Sequence, residues 1–135
     1  MPFFSIVIPL YNKANFILAT LKSVSDQTFE NYEIIIINDG STDASLSKVE
    51  ALKLPKLSIH TQENKGLSAA RNLGVALAKG QYIALLDADD IWKPSYLKSM
   101  FNLIENYPKF IFVSCFAKIY RRFNWLSKIY IREKS

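Results

Sequence analysis

The chain has 135 residues, of which 50% are hydrophobic and 21% charged, and this composition excludes an intrinsically disordered protein. Its one cysteine, Cys115, excludes an internal disulfide and fits a reducing compartment. The net charge of +5 comes from the end of the chain, since residues 1–108 carry ten basic and eleven acidic side chains and residues 109–135 carry seven and one; a nearly neutral body argues against a partner made of nucleic acid.

The pattern of hydrophobic residues predicts five strands. No apolar run approaches the roughly 20 residues of a membrane-spanning helix, and the first residues lack the basic and small-residue features of a signal peptide. The predicted strands are Phe4–Ile8, ended by Pro9, then Tyr32–Ile37, Leu57–Thr61, Tyr82–Leu86 and Phe110–Phe116.

Four helices are predicted between these strands. They cover residues 14–26, a segment with Leu46 and Val49 that ends before Pro55, a segment capped by Ser68 that continues to Lys79, and residues 94–106. This alternation predicts an α/β fold of the Rossmann-like kind, with a mostly parallel sheet and helices on both faces. We expect one domain over residues 1–116 and a basic, aromatic tail over residues 117–135.

Three polar loops follow predicted strands at Pro9–Asn12, Asn38–Thr42 and Asp87–Asp90. Because the carboxyl ends of parallel strands meet at one edge of the sheet, these loops are expected to line one crevice. Asp39 would accept hydrogen bonds from a nucleoside there, or would only form a local turn.

Clustered acids at Asp87, Asp89 and Asp90 end the apolar strand that begins at Tyr82. Hard oxygen ligands at alternate positions suit Mn²⁺ or Mg²⁺ shared with substrate phosphates, whereas a solvated acidic turn is the alternative. The sequence has neither a Gly-x-Gly-x-x-Gly loop nor a Walker-type Gly-Lys-Ser/Thr loop. A dinucleotide-dependent dehydrogenase and a P-loop ATPase are therefore disfavoured.

Five sequence blocks, in this order and spacing, resemble the nucleotide-binding part of the family 2 inverting glycosyltransferases, which have the GT-A fold. The resemblance covers about residues 4–98. The blocks are Ser5–Asn12, Ser23–Thr28, Glu33–Asp43, Asn64–Gly74 and Leu86–Trp92.

The resemblance implies roles for particular residues. Asp39 would pair with the base, commonly uracil, Arg71 would lie against the nucleotide, and Asp87-Ala88-Asp89 matches the family's Asp-x-Asp motif. Asp87 would approach the ribose, and Asp89, with Asp87, would bind Mn²⁺ or Mg²⁺. The implied nucleotide-binding residues are Pro9, Leu10, Tyr11, Asn12, Asp39, Gly66, Arg71, Asp87 and Ala88.

The same resemblance implies a nucleotide-sugar donor, which we expect to be a UDP-sugar, and a sugar or lipid-linked acceptor. The family's acceptor half extends further than this chain, and no catalytic base can be assigned, since Glu133 is the sole acid after residue 116. Two main interpretations stay open: part of a glycosyltransferase, or a truncated module that binds nucleotide and metal without transferring sugar. A Mg²⁺-dependent phosphoryl-transfer enzyme ranks last, because the sequence has no evident nucleophile or phosphate loop. An exposed apolar face would favour a homo-oligomer.

The tail from Lys118 to Arg132 mixes basic and aromatic residues. Such a segment can lie on an anionic membrane surface, which would suit a lipid-linked acceptor. Alternatively, the tail packs on a further part of the protein or is exposed. We expect a cytoplasmic protein. If the tail lies on a membrane, we expect the contact at the inner face.

Overall fold

A computed structural model describes residues 1–107 and the backbone of residues 118–121. Five strands and four helices alternate in this part of the chain. The strands are β1 (Phe4–Leu10), β2 (Tyr32–Asp39), β3 (Leu57–Gln62), β4 (Tyr82–Leu85) and β5 (Lys118–Arg121). The helices are α1 (Ile17–Ser25), α2 (Ser45–Ala51), α3 (Leu67–Leu77) and α4 (Tyr96–Asn106).

The strands form one sheet in the order β3-β2-β1-β4-β5. The first four of these are parallel, and β5 runs antiparallel to β4. The chain moves outward from β1 to β3 and then crosses back to place β4 on the other side of β1. The carboxyl ends of β1 and β4 therefore flank the point where the strand order reverses, which is where open α/β sheets bind ligands.

Alternate residues of the sheet enter two separate cores. On one face, Ile6 and Ile8 of β1 and Ile36 of β2 pack with apolar residues of α1, α2 and α4. On the other face, Val7 and Ile35 pack with residues of α3 and the segment after it. Because both faces are covered, the strands are nearly continuous runs of apolar residues, and the prediction of helices on both faces is confirmed.

The prediction that Pro9 ends β1 is wrong, because Pro9 lies within this strand, one residue before its end at Leu10. Residue pairing between β1 and β2 continues through Leu10. The oxygen of Val7 accepts from the nitrogen of Leu86 at 3.0 Å, and alternate residues of a strand direct their backbone groups to the same side. The backbone nitrogen of Pro9, which carries no hydrogen, therefore points to the side of β4. Because β4 ends at Leu85, no residue of that strand lies opposite Pro9, and no hydrogen bond of the sheet is lost.

Helix α3 begins two residues earlier than a Ser68 cap would allow. Its N-cap is Gly66, whose φ of +89° suits glycine, and no side chain caps the helix. Helix α3 ends at Leu77 rather than Lys79. The predicted strand Phe110–Phe116 and most of the tail lie outside the described residues.

Candidate active site

A cleft of about 530 Å³ opens at the carboxyl edge of the sheet. The ends of β1 and β2 form it together with the loops after β1, β3 and β4 and the first turn of α3. Of the predicted loop Asn38–Thr42, only Asp39 lines the cleft. Its walls are formed by Pro9, Leu10, Tyr11, Lys13, Asp39, Asn64, Gly66, Leu67, Ala70, Asp87, Ala88 and Asp89. The cleft thus combines carboxylates and a cation with an aromatic ring and small apolar groups.

The loop after β1 contributes an exposed aromatic ring to this cleft, and its next residue forms hydrogen bonds with the loop after β2. Tyr11 lines the cleft and is 46% exposed. Asn12, the next residue, is outside the cleft lining and has a φ of +50°. Its side-chain oxygen accepts from the backbone nitrogens of Thr42 and Asp43 at 2.8 and 3.3 Å. Asn12 therefore ties the loop after β1 to the loop after β2, which positions Tyr11.

Asp39 closes the far wall of the cleft and is almost fully buried. Its Oδ1 accepts from Gln62 Nε2 at 2.7 Å and from the Lys65 nitrogen at 2.8 Å. Its Oδ2 accepts from the Gly66 nitrogen at 2.9 Å. Burial acts to raise the pKa of this carboxyl, but the three hydrogen bonds outweigh burial and hold the pKa below its ordinary value of 3.8. One lone-pair position on Oδ2 is left for a donor in the cleft.

We expect Asp39→Asn to lower the free energy of unfolding at pH 7 by about 1 to 2 kcal/mol, because hydrogen bonds to a charged acceptor are replaced by weaker ones. The folded carboxyl has the lower pKa, so its stabilisation is complete above the unfolded pKa, near 3.8, and is lost as pH falls through the folded pKa. Urea unfolding from pH 2 to pH 7 checks this. A difference between wild type and variant that stays constant down to pH 2 would contradict it.

Asp87 is held by a guanidinium that is mostly buried. Arg71 Nη2 donates to Asp87 Oδ1 at 2.6 Å, and the Arg71 side chain is 10% exposed while that of Asp87 is 44% exposed. Arg71 reaches this position from the middle of α3, which packs on β1 and β2. It does not belong to the cleft lining. In this structure Arg71 orients Asp87, and its contact with a nucleotide stays a prediction.

Asp89 pairs with a lysine from the opposite loop. Lys13 Nζ donates to Asp89 Oδ2 at 2.7 Å, and both side chains are partly exposed, at 37% and 40%. The hydrogen bond from Lys13 and the charge of Asp89 raise the pKa of this lysine, with a smaller contribution from Asp87. Both sides of the cleft mouth are therefore charged, and they are linked through an ion pair that water can reach.

The donor chemistry of this mouth fits a divalent cation that is shared with a substrate. Within residues 1–107 and 118–121, no three or more His, Cys, Asp or Glu side chains are grouped as a metal site. Mg²⁺ and similar ions, however, are often held by one or two carboxylates while substrate phosphates and water complete the shell. Burial, and then the charges of Asp87 and Asp89, raise the pKa of Asp90. These two neighbouring carboxylates also make the local potential more negative, which attracts cations.

Eight of the predicted site residues line one cleft, and two others support it from outside. The supporting residues are Asn12 and Arg71, which hold a loop and a carboxylate in place. The cleft-lining residues that the sequence did not single out are Lys13, Asn64, Leu67 and Ala70. A signal for Lys13 existed, since a cation directly after a predicted binding loop suits an anionic ligand. Leu67 and Ala70 share one face of α3 at a spacing of three residues, which also describes an ordinary core face.

Sequence comparison finds bacterial glycosyltransferases similar to this chain. Glycosyltransferase GlyG of Streptococcus pneumoniae serotype 4 is 36% identical over 104 residues, which are 75% of this chain and 35% of that protein. Putative glycosyltransferase EpsH of Bacillus subtilis is 41% identical over 101 residues, 73% of this chain and 29% of that protein. The chain thus spans about a third of the length of these relatives.

Structure comparison finds solved GT-A glycosyltransferases with the same arrangement of strands and helices. S. aureus TarS 1–349 in complex with UDP-GlcNAc has a TM-score of 0.75 and 28% identity, over 80% of this chain and 32% of that one. The mannosyltransferase PcManGT from Pyrobaculum calidifontis, in complex with GDP-Man and Mn²⁺, has a TM-score of 0.71 and 25% identity. The matched region spans 76% of this chain and 32% of PcManGT. These likenesses confirm the GT-A fold predicted from the sequence.

The family assignment rests on nearly the whole length of the chain. The sequence profile described as Glycosyl transferase family 2 matches residues 5–133. The five blocks that carry the resemblance fall within this match and supply most of the cleft described above. The chain is therefore a member of glycosyl transferase family 2.

Proposed function

We propose that this chain binds the donor in a metal-dependent, inverting glycosyltransferase that moves a sugar from a UDP-sugar to an acceptor in polysaccharide or glycoconjugate synthesis. The observation that carries the proposal is that Tyr11, Asp39, Asp87 and Asp89, at the carboxyl ends of three separate strands, open onto one cleft. Proteins with the same fold have been solved with UDP-GlcNAc and with GDP-Man and Mn²⁺, which supports this class of donor.

The nucleoside would occupy the part of the cleft between Tyr11 and Asp39. An exposed aromatic ring offers a flat apolar surface for a base, and Pro9 and Leu10 extend that surface. The remaining acceptor position of the Asp39 carboxylate suits the ring N–H of uracil. Asp87, oriented by Arg71, keeps Oδ2 available for a ribose hydroxyl.

Asp89, with Asp87, would hold Mn²⁺ or Mg²⁺ beside the donor's two phosphates. A divalent cation bound there supplies Lewis-acid stabilisation of the negative charge that grows on a leaving nucleoside diphosphate. The chain's own contribution is to fix the two carboxylates at the end of β4. Arg71 fixes Asp87 through the ion pair between them. The backbone of the β4–α4 loop, in which the Asp90 nitrogen donates to the Asp87 oxygen at 3.0 Å, fixes Asp89.

A second candidate function is a nucleotide- and metal-binding module without transferase activity. The observation that favours it is the small number of carboxylates in the cleft, which among the described residues are Asp39, Asp87 and Asp89. An inverting transfer needs a base that activates the acceptor hydroxyl on the face opposite the leaving group. Within residues 1–107, the carboxylates of the cleft are already assigned to the nucleotide and the metal, so the sequence and structure assign no base.

Titration calorimetry with UDP and Mn²⁺ tests the proposal. We expect UDP to bind when Mn²⁺ is present and to bind at least about ten-fold more weakly when the metal is removed or when Asp89 is changed to alanine, because a charge-assisted contact is lost. Asp26→Ala is the matched control, since Asp26 forms an exposed ion pair with Lys22 outside the cleft.

Failure of UDP to bind with either Mn²⁺ or Mg²⁺ would contradict the proposal. An equal effect of Asp26→Ala and Asp89→Ala would do so as well. Release of UDP from a UDP-sugar in the presence of acceptors separates the two candidate functions. Transfer supports the enzyme, whereas metal-dependent binding without release supports the binding module.

A further inference from the structure

One ion pair bridges the mouth of the cleft. It joins Lys13, in the loop after β1, to Asp89, in the loop after β4, with 2.7 Å between Nζ and Oδ2. Both residues line the cleft, and both side chains are partly exposed, at 37% and 40%. The ammonium therefore lies on the carboxylate that is proposed to hold the divalent cation.

The backbone of Lys13 is fixed although its side chain is not. The Lys13 nitrogen donates to Oγ of Ser45, a fully buried residue, at 2.8 Å. The Lys13 oxygen accepts from the nitrogens of Phe16 and Ile17 at 2.9 and 3.0 Å. The ammonium is thus a cation at the end of a flexible side chain whose backbone is held in place. Side-chain rotation alone can move it between positions within the cleft.

The charges in the cleft change when a donor and a metal enter. Without them, Lys13 is the positive group that faces Asp89, and Asp87 adds to its attraction. A divalent cation on Asp89 would repel the ammonium, because both would compete for one carboxylate. A diphosphate in the same cleft would attract it, since Lys Nζ is a compact donor that suits phosphate oxygens.

We propose that Lys13 is an exchangeable counter-ion, which neutralises Asp89 in the empty cleft and moves to the donor's diphosphate when a divalent cation takes the carboxylate. This inference rests on the proposed function. It assigns Lys13 two successive partners, whereas a fixed structural ion pair would have one.

The two roles predict opposite results for Lys13→Met. With Mn²⁺ alone, followed by the electron paramagnetic resonance signal of the free ion, the variant should bind about two- to five-fold more tightly, because an exposed competing ion pair is removed. With Mn²⁺ saturating, UDP should bind about ten-fold more weakly in calorimetry, because a charge-assisted contact to phosphate is lost. Tighter metal binding is a result that a merely structural lysine would not give.

Two further variants control this test. Lys22→Met removes the same charge from an exposed ion pair with Asp26 outside the cleft, and it should change neither titration. Lys13→Arg keeps the positive charge and should stay within about two-fold of the wild type for Mn²⁺. Circular dichroism on each variant checks that the fold is kept.

The outcomes separate this inference from the function on which it rests. If the wild type binds Mn²⁺ and UDP but Lys13→Met weakens both or changes neither, the inference is overturned and the proposed function stands. If the wild type binds neither, both are overturned. Opposite shifts for the metal and the nucleotide support the exchange.

Discussion

Asp87→Ala is expected to lower the free energy of unfolding by about 2 to 3 kcal/mol, although Asp87 lies at the surface of the cleft. Its partner Arg71 is 10% exposed, and the removal of one partner leaves a buried charge uncompensated, which costs about 3 to 5 kcal/mol in fully buried pairs. We take a smaller value because the Asp87 side chain is 44% exposed. Arg71 Nε already lacks a hydrogen-bond partner within the described residues, so this guanidinium has little to compensate the loss.

Asp89→Ala should behave differently in the same measurement. Its partner Lys13 is exposed enough to be solvated, and exposed ion pairs contribute about 0 to 1 kcal/mol. Urea unfolding followed by circular dichroism compares the two variants, and the double variant Arg71→Met with Asp87→Ala should regain part of the loss. Equal destabilisation by Asp87→Ala and Asp89→Ala would show that Arg71 does not depend on Asp87.

Gly80→Ala is the substitution for which we expect the largest loss of stability, about 3 kcal/mol or more, because the added methyl group has no space. A Cβ at this position would lie 2.6 Å from the Ser5 nitrogen and 2.8 Å from the Phe4 carbonyl carbon. Both atoms belong to the backbone of β1 and cannot rotate away. The Gly80 nitrogen also donates to Ser5 Oγ at 2.7 Å, so the required shift would break this hydrogen bond.

Gly66→Ala provides the comparison for this prediction. No atom lies within 4 Å of a Cβ at Gly66, but its φ is +89°, so only backbone strain of about 1 to 2 kcal/mol is expected. Thermal unfolding or urea unfolding ranks the two variants. A Gly80→Ala variant with a stability within about 1 kcal/mol of the wild type would mean that β1 and the segment before β4 are not in close contact.

The sequence predicted the order of the elements and the edge of the sheet that carries the site. Strands covered on both faces appear as unbroken apolar runs, and Ile34–Ile37 is such a run. The side of a strand to which each backbone group points does not appear in the residue pattern, so Pro9 was expected to end β1. The start of α3 was misplaced because Gly66 begins it through its backbone, without a capping side chain.

The site was predicted as a set of loops, whereas its contacts depend on tertiary structure. Asp39, Asp87 and Asp89 could be placed because polar residues that follow parallel strands gather at one edge. Two contacts depend on side-chain directions in the assembled fold. Asn12 accepts hydrogen bonds from the loop after β2, and Arg71 of α3 donates to Asp87 after β4. The ion pair of Lys13 with Asp89 joins residues 76 positions apart, a separation that no local pattern encodes.

A crystal structure of the chain with UDP and Mn²⁺, measured with the anomalous scattering of manganese, tests the central claim most directly. We expect a manganese peak at the carboxylate of Asp89, and the uracil ring between Tyr11 and Asp39. A metal bound elsewhere, or a nucleotide outside the cleft at the ends of β1, β2 and β4, would contradict the proposed site.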